Sequence, residues 1–149
     1  MRIAMTLCLP RDAITVPVSR HVCHSALAEV GATEDVISDI EIALAEACTN
    51  VLDHAGPGDE YEITAEVDPE VCVIRVVDTG RGFDAAALRD DAGRATDERG
   101  RGVTLMKALV DQVSFVSKDE VGTLVHLEKR LTFHDGAPMQ RLAASTATS

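Results

Sequence analysis

The chain has 149 residues, with 25 acidic and 14 basic side chains and a formal net charge of −11. This length is typical of one domain, and 46% hydrophobic with 26% charged residues is an ordinary globular composition. The negative charge repels phosphate backbones and anionic lipid, so we expect neither nucleic acid nor a membrane as partner. No apolar run approaches the roughly 20 residues that cross a bilayer, and residues 1–10 are too short and weakly basic for a secretory signal. A cytoplasmic protein is expected.

Four cysteines are spread along the chain without a C-x-x-C pair, which argues against a zinc site and against a redox motif. Each falls in an apolar stretch, where free cysteine behaves as a small hydrophobic residue. We therefore expect reduced thiols in the core at Cys8, Cys23, Cys48 and Cys72.

The first third of the chain predicts one strand and two helices. Residues 2–9 alternate as in a strand, and the first helix begins at Thr15 and Pro17 and ends at Gly31. Its apolar stripe is predicted at Val18, Val22, Ala26, Leu27 and Val30. The second helix begins after Thr33. It has its own stripe at Ile37, Ile40, Leu44, Ala47 and Val51.

The remainder of the chain predicts two strand pairs and a short helix. Residues 60–67 and 71–77 are predicted to form a hairpin around Asp68-Pro69. Residues 84–99 are predicted to be a polar loop or lid, and a short helix begins at Gly102. The last two predicted strands, 112–117 and 123–131, form the second pair. Paired strands with helices on one face indicate an α+β fold: a two-layer sandwich with a mostly antiparallel sheet. We expect one domain over residues 1–131 and a disordered tail over 132–149.

Asp78 is the most informative single residue. Alternate apolar residues from Cys72 to Val76 share one face of the preceding strand, so Asp78 is predicted to point inward at the strand's end. A buried carboxylate is costly without a donor. That donor is either an N–H of a neighbouring loop or the exocyclic amine of adenine. Inward-pointing Thr123, likewise, is either a satisfied core threonine or a group that hydrogen-bonds near adenine.

Two glycine pairs flank the polar segment. Gly80 and Gly82 let the backbone turn sharply beside a flat ligand. Gly100 and Gly102 precede a helix, whose N–H groups suit a phosphate, although a G-x-G usually marks only a turn. Neither pair completes a dinucleotide G-x-G-x-x-G after a strand, and no G-x-x-x-x-G-K-[ST] loop is present. Nearby cations that either serve phosphates or remain solvated are Arg94, Arg99 and Arg101.

A polar row lies on the second predicted helix. Glu46 and Asn50 stand four residues apart and project from one face, followed by Asp53 and His54. A solvated surface explains such a row without chemistry. However, asparagine is a mediocre helix former, and its amide oxygen can bind Mg²⁺ together with substrate phosphates. His54 either hydrogen-bonds within the site or ends the helix favourably.

Three motifs in this order resemble those of the Bergerat-fold ATPases: Glu46-x-x-x-Asn50, Asp78-x-Gly80-x-Gly82 and Gly100-x-Gly102-x-x-Leu105-Met106. The similarity covers residues 46–123, and the order of elements agrees over 2–131. Within that superfamily, the stretch EACTNVLDHA at 46–55, the minimal length and the short lid are similar to the anti-sigma factor serine kinases.

This resemblance implies roles for individual residues. Glu46 would be the general base and Asn50 the Mg²⁺ ligand. Asp78 would contact adenine, with Thr123 as a further contact on that side. The remaining nucleotide-binding positions would be Asp53, His54, Gly80, Gly82, Phe83, Gly100, Arg101, Gly102 and Val103. The resemblance also implies ATP and Mg²⁺ as cofactors, a homodimer, and as partners a sigma factor and a small anti-anti-sigma protein that is phosphorylated on serine.

Two other functions stay open. A sensor histidine kinase fragment would need a phospho-accepting box, yet neither His21 nor His24 is followed by the acidic residue and proline that mark one. We expect these two histidines to be on the surface or partly buried. A module that binds ATP and a protein partner without transferring phosphate would have the same motifs. The presence of both Glu46 and Asn50 favours an active kinase.

Overall fold

The computed structural model describes residues 1–53, 60–78, 100–118 and 122–147. The elements in these ranges are β1 (Ile3–Pro10), α1 (Thr15–Glu29), α2 (Glu34–Asp53), β2 (Glu60–Val67), β3 (Val71–Asp78), α3 (Gly100–Leu109), β4 (Gln112–Lys118), β5 (Gly122–Arg130) and α4 (Pro138–Ala147). From β1 to β5 these bounds lie within a residue or two of the predicted ones, a normal difference at the ends of elements.

The five described strands form one sheet in the order β1-β2-β3-β5-β4, and every neighbouring pair is antiparallel. The predicted hairpin is confirmed, with Val67 opposite Cys72 at its turn and Tyr61 opposite Asp78 at its open end. Strand β5 lies between β3 and β4, so the last strand inserts into the sheet. The α+β sandwich predicted from the sequence is therefore confirmed.

The core lies between one face of the sheet and the helices, because alternate residues of the central strands point to the same side. Helix α2 packs against α1, against α3 and against the inner face of β3 and β5. Its predicted apolar stripe is buried, with Leu44, Ala47 and Val51 each 0% exposed. The opposite side of α2 is thereby left for polar groups.

The buried face of helix α1 matches the predicted stripe only in part, since Leu27 and Val30 are buried. Its buried residues are Thr15, Ser19, Cys23 and Leu27, whereas Val18 is 49% exposed. The buried row follows an i, i+4 spacing, and its hydroxyl groups have partners. Ser19 Oγ donates to the carbonyl of Val16 at 2.8 Å, and Thr15 bonds the backbone and a tyrosine hydroxyl. Satisfied hydroxyls can be buried at little cost, so hydrophobicity alone did not identify Thr15 and Ser19 as buried residues.

The prediction of a disordered tail over 132–149 is wrong for residues 132–147. Thr33 N donates to the carbonyl of Thr132 at 2.9 Å, and α4 then begins at Pro138. Met139 in its first turn is 0% exposed and belongs to the core. Gly31 has a φ of +87°, and a Cβ there would overlap Ala137, so glycine both ends α1 and admits the returning chain.

All four cysteines are free, and three are in the core as predicted. Burial raises the pKa of Cys23 to about 12, of Cys48 to about 11 and of Cys72 to about 12. Cys8 is exposed, contrary to the prediction, because it lies on the outward-pointing side of the edge strand β1. No helix in the described ranges is long and apolar enough to cross a membrane.

Candidate functional site

Asp78 ends β3 and is completely buried, at 0% exposed. Its predicted inward position is confirmed. Its Oδ2 lies 2.7 Å from Nη1 of Arg11. This contact is an ion pair without hydrogen-bond alignment, and neither carboxylate oxygen accepts a hydrogen bond from the described part of the chain. A buried carboxylate whose oxygens accept no hydrogen bond can accept one from a ligand.

Asn50 supplies a second buried polar atom. Its side chain is half-buried on α2, and Nδ2 has no hydrogen-bond partner among the described residues. Leaving a buried donor unsatisfied costs about 1–3 kcal/mol. An uncompensated amide of this kind is unusual in a packed protein and indicates a group kept for a ligand.

Arg11, in the turn between β1 and α1, joins these two regions. Its Nη2 donates to the carbonyl oxygens of Val51 at 3.2 Å and Leu52 at 3.4 Å, while Nη1 contacts Asp78. Since one guanidinium contacts both elements, the turn of α2 that includes Asn50 lies beside the end of β3. The sequence analysis did not identify Arg11. An arginine after Pro10 has no motif that distinguishes it from a solvated side chain.

Thr123 lies at the same end of the sheet. Leu124 is the register partner of Val77 in this antiparallel pair, so the preceding residue of β5, Thr123, lies beside Asp78 at the end of β3. The side chain of Thr123 is 2% exposed, which confirms its predicted inward position. Gly122, with a φ of +140°, begins the strand in a conformation that favours glycine.

Helix α3 provides the N-terminus proposed for phosphate. It begins at Gly100, two residues earlier than predicted, so the G-x-G lies within its first turn. Val103 is 2% exposed and packs in the core, while α2 packs along α3. The first N–H groups of a helix have no intrahelical acceptors, and with the helix dipole they favour anions.

Glu46 lies one turn before Asn50 on α2 and is half-buried. It borders a groove of about 560 Å³ between α1 and α2, whose other lining residues are Arg20, His21, His24, Glu41, Ile42 and Ala45. His21 and His24 are exposed as predicted, and His24 Nδ1 is 2.7 Å from Glu41 Oε1. A carboxylate at the wall of an open groove is accessible to a group presented by another molecule.

Several predicted site residues lie outside the described ranges: His54, Gly80, Gly82 and Phe83. The polar segment 84–99 also lies outside them. Asp53 is described and is exposed at the end of α2. Gly100, Arg101 and Gly102 are placed as part of α3. Their contacts with a nucleotide stay predictions.

The described residues contain no cluster of three or more histidine, cysteine, aspartate or glutamate side chains that could hold a metal ion by itself. Mg²⁺ keeps several waters and needs only one or two protein oxygens when phosphates complete its shell. Among the described residues, Asn50 suits this role, because its amide oxygen can bind Mg²⁺.

Comparison with known proteins agrees with this site. Residues 9–129 match the histidine kinase-like ATPase domain. The chain belongs to this ATPase family. Over 132 residues this ATPase is 33% identical to the serine-protein kinase RsbW of Halalkalibacterium halodurans, covering 83% of the chain and 80% of that protein. It is also 27% identical over 143 residues to the serine-protein kinase RsbW of Bacillus cereus, covering 88% and 89%.

Among solved structures, the RsbU and RsbW domains of a Mycobacterium tuberculosis protein are similar to this ATPase, with a TM-score of 0.65 at 21% identity. The similarity covers 87% of this chain and 32% of that longer chain, and it shows a shared fold. The family match spans all the described candidate site residues from Arg11 to Thr123.

Proposed function

We propose that this ATPase-family protein is a serine kinase of the anti-sigma type. It binds ATP with Mg²⁺, holds a sigma factor, and phosphorylates a serine of a small anti-anti-sigma protein. The observation that carries the proposal is that Arg11 links the end of β3 to the turn of α2 after Asn50, where both oxygens of Asp78 and Nδ2 of Asn50 are buried without hydrogen-bond partners in the described chain. Relatives named serine-protein kinase support the reaction type.

Asp78 binds the adenine base in this proposal. An ionised carboxylate only accepts hydrogen bonds, and the exocyclic amine of adenine donates them. Because Asp78 is 0% exposed, little water competes for its oxygens. Thr123 at the end of the adjacent strand contributes on the same side.

Asn50 and the N-terminus of α3 serve the phosphates. The amide oxygen of Asn50 is an appropriate Mg²⁺ ligand, and the first turn of α3 presents backbone N–H groups to an anion. Bound Mg²⁺ would supply neutralisation of the charge that develops on the phosphoryl oxygens. Asn50 then orients the triphosphate relative to Glu46, one helical turn away.

Glu46 is the general base. It accepts the proton of the acceptor serine hydroxyl while that oxygen forms a bond to the γ-phosphorus, and the bond to the β–γ bridging oxygen breaks to release ADP. The groove between α1 and α2 gives the acceptor segment of the partner access to this carboxylate. Its mixed lining of cationic, anionic and apolar side chains suits a peptide.

The partners follow from this activity and from charge. A net charge of −11 favours a protein partner with a basic surface and disfavours nucleic acid and anionic membranes. We further propose a homodimer in the cytoplasm, as implied by the resemblance to anti-sigma factor kinases.

The test incubates the protein with labelled ATP, Mg²⁺ and candidate small partner proteins, and locates the label by mass spectrometry. We expect phosphoserine on one partner, lost on chelation of Mg²⁺ and in Glu46→Gln. Binding of ATP without phosphoserine on any candidate would favour an ATP-binding module that acts by association alone. Absence of ATP binding would contradict the proposal entirely.

A further inference from the structure

Arg11 is positioned to control the proposed adenine contact. Its side chain is 12% exposed and contacts three oxygens on two elements: the carboxylate of Asp78 at 2.7 Å and the carbonyls of Val51 and Leu52. These elements are β3 and α2, the two sides of the proposed nucleotide site. The guanidinium is therefore buried within the site's framework.

Arg11 also contacts α2. The carbonyls of Val51 and Leu52, which accept from its Nη2, belong to the last described turn of this helix, which extends to Asp53. The negative end of the helix dipole also favours a cation there. Arg11 is therefore anchored by α2, independently of Asp78.

The contact at β3 compensates a charge. Asp78 is completely buried, and a buried carboxylate is strongly unfavourable unless an opposite charge lies close to it. Nη1 of Arg11 approaches Oδ2, whereas Oδ1 has no hydrogen-bond donor in the described chain. One oxygen of Asp78 thus faces the cation, and the other is available to a ligand.

We propose that Arg11 is a positioning residue that compensates the charge of Asp78 and orients it as a pure hydrogen-bond acceptor, so that the site selects adenine over purines with a carbonyl group at position 6. The proposal rests on the proposed ATP site. An amine at position 6 donates to the carboxylate, whereas a carbonyl there would face it with a second acceptor. Without the cation, the carboxylate would lose the contact that orients it toward the amine, whereas a purine with a carbonyl group, which makes no such contact, would be affected less.

The experiment measures the affinities of ATP and ITP by calorimetry, with thermal unfolding of each variant alongside. ITP has a carbonyl where ATP has the amine. For Arg11→Met we expect ATP affinity to fall by about tenfold or more, the scale of a lost buried hydrogen bond, while ITP affinity changes much less. The preference for ATP over ITP therefore decreases by about tenfold as well.

Two further variants separate the effect of the Arg11 charge on the preference for ATP from the effect of Arg11 on stability. Arg11→Lys keeps the charge but cannot reach all three oxygens, so we expect lower thermal stability with the ATP preference retained within about threefold. Arg2→Met is the matched control, because it removes an exposed cation of the same chain segment whose contact is a 3.8 Å pair with Glu66. Its ATP preference should equal that of the unmodified protein.

An unchanged ATP-to-ITP ratio in Arg11→Met, with lower stability alone, would show that Arg11 is merely structural and would overturn the inference. Tighter ATP binding in that variant would overturn it too, since Arg11 would then compete with the nucleotide. Loss of the preference in Arg11→Lys would refute the charge argument. If Arg11→Met does not fold, Arg11→Gln, which can still donate to the α2 carbonyls, takes its place. Failure of the unmodified protein to bind ATP would instead contradict the proposed function.

Discussion

The hydroxyl oxygens of Thr15 and Tyr61 lie 2.6 Å apart, which ties the first turn of α1 to the strand that pairs with Asp78. Thr15 donates to the carbonyl of Asp12 at 2.7 Å, so the tyrosine hydroxyl is the donor of the pair. Tyr61 is 0% exposed. The turn that includes Arg11 is consequently fixed by a buried hydrogen bond at the end where it leads into α1.

Tyr61→Phe should lower the free energy of unfolding by about 1–1.5 kcal/mol, because Thr15 Oγ1 loses a buried donor. Urea unfolding followed by circular dichroism measures the change. The double variant with Thr15→Val should lose less than the sum of the two single variants, since the pair is then removed together. Additive losses would contradict a direct interaction between the two hydroxyls.

Asp78→Asn should weaken ATP binding by about 1–3 kcal/mol, the usual scale for disturbing a buried hydrogen bond. The amide places a donor where the carboxylate presents only acceptors, so the adenine amine loses its partner. Isothermal calorimetry measures the affinity, with Glu66→Gln on the neighbouring strand as the control. Unchanged affinity in Asp78→Asn would remove this residue from the site.

Glu46→Gln should slow phosphoryl transfer by roughly 10²–10⁴-fold while ATP affinity is nearly kept, as expected for the loss of a general base. Single-turnover transfer to the partner serine measures the rate. Glu29→Gln is a suitable control, because Glu29 is exposed on α1 and does not border the groove. Normal turnover in Glu46→Gln would end the assignment.

Stability should decrease at alkaline pH because of the buried thiols. Burial raises the pKa of Cys23 to about 12 and of Cys48 to about 11, from an ordinary value of 9.0. Between these values the unfolded chain binds fewer protons than the folded chain. The contribution of the neutral thiols is therefore complete below pH 9 and is lost as pH rises from 9 toward 12.

Urea unfolding over this alkaline range measures the slope of that loss. Cys23→Ala should have a shallower decline than the unmodified protein, although its stability at neutral pH is lower because a cavity forms. Cys8→Ala is the control, since it removes an exposed thiol of the same chain. Equal slopes in all three proteins would contradict the thiol explanation.

Hydrophobic periodicity is sufficient to predict which residues are buried wherever apolar residues alone define the buried face. The β2–β3 hairpin and the stripe of α2 are such cases, and alternation along β3 is enough to predict that Asp78 points inward. The convergence of Asp78 with Asn50 is harder to predict. It depends on which strands neighbour which helix, and here the resemblance to known ATPases supplies what the local pattern lacks.

Three features could not be predicted, for physical reasons. The buried row of α1 includes Thr15 and Ser19, whose hydroxyls are satisfied by partners that hydrophobic periodicity does not identify. Arg11 gains its importance from oxygens about 40 and 67 residues away along the chain. The C-terminal helix is weakly apolar, so its ordering depends on the space that α1 and Gly31 leave for it.

The C-terminal segment offers a direct test of that dependence. Met139 is 0% exposed, and its N–H donates to the carbonyl of Val30 at 3.3 Å. Met139→Ala should therefore lower the free energy of unfolding by about 2–5 kcal/mol, as expected for truncating a buried side chain. Leu142→Ala on the same helix, where the side chain is 46% exposed, should cost much less. Equal and negligible effects in urea unfolding would mean that α4 is not packed on the core in solution. Because Met139 contacts the end of α1 and not the nucleotide site, ATP affinity at low temperature should be nearly the same in both variants.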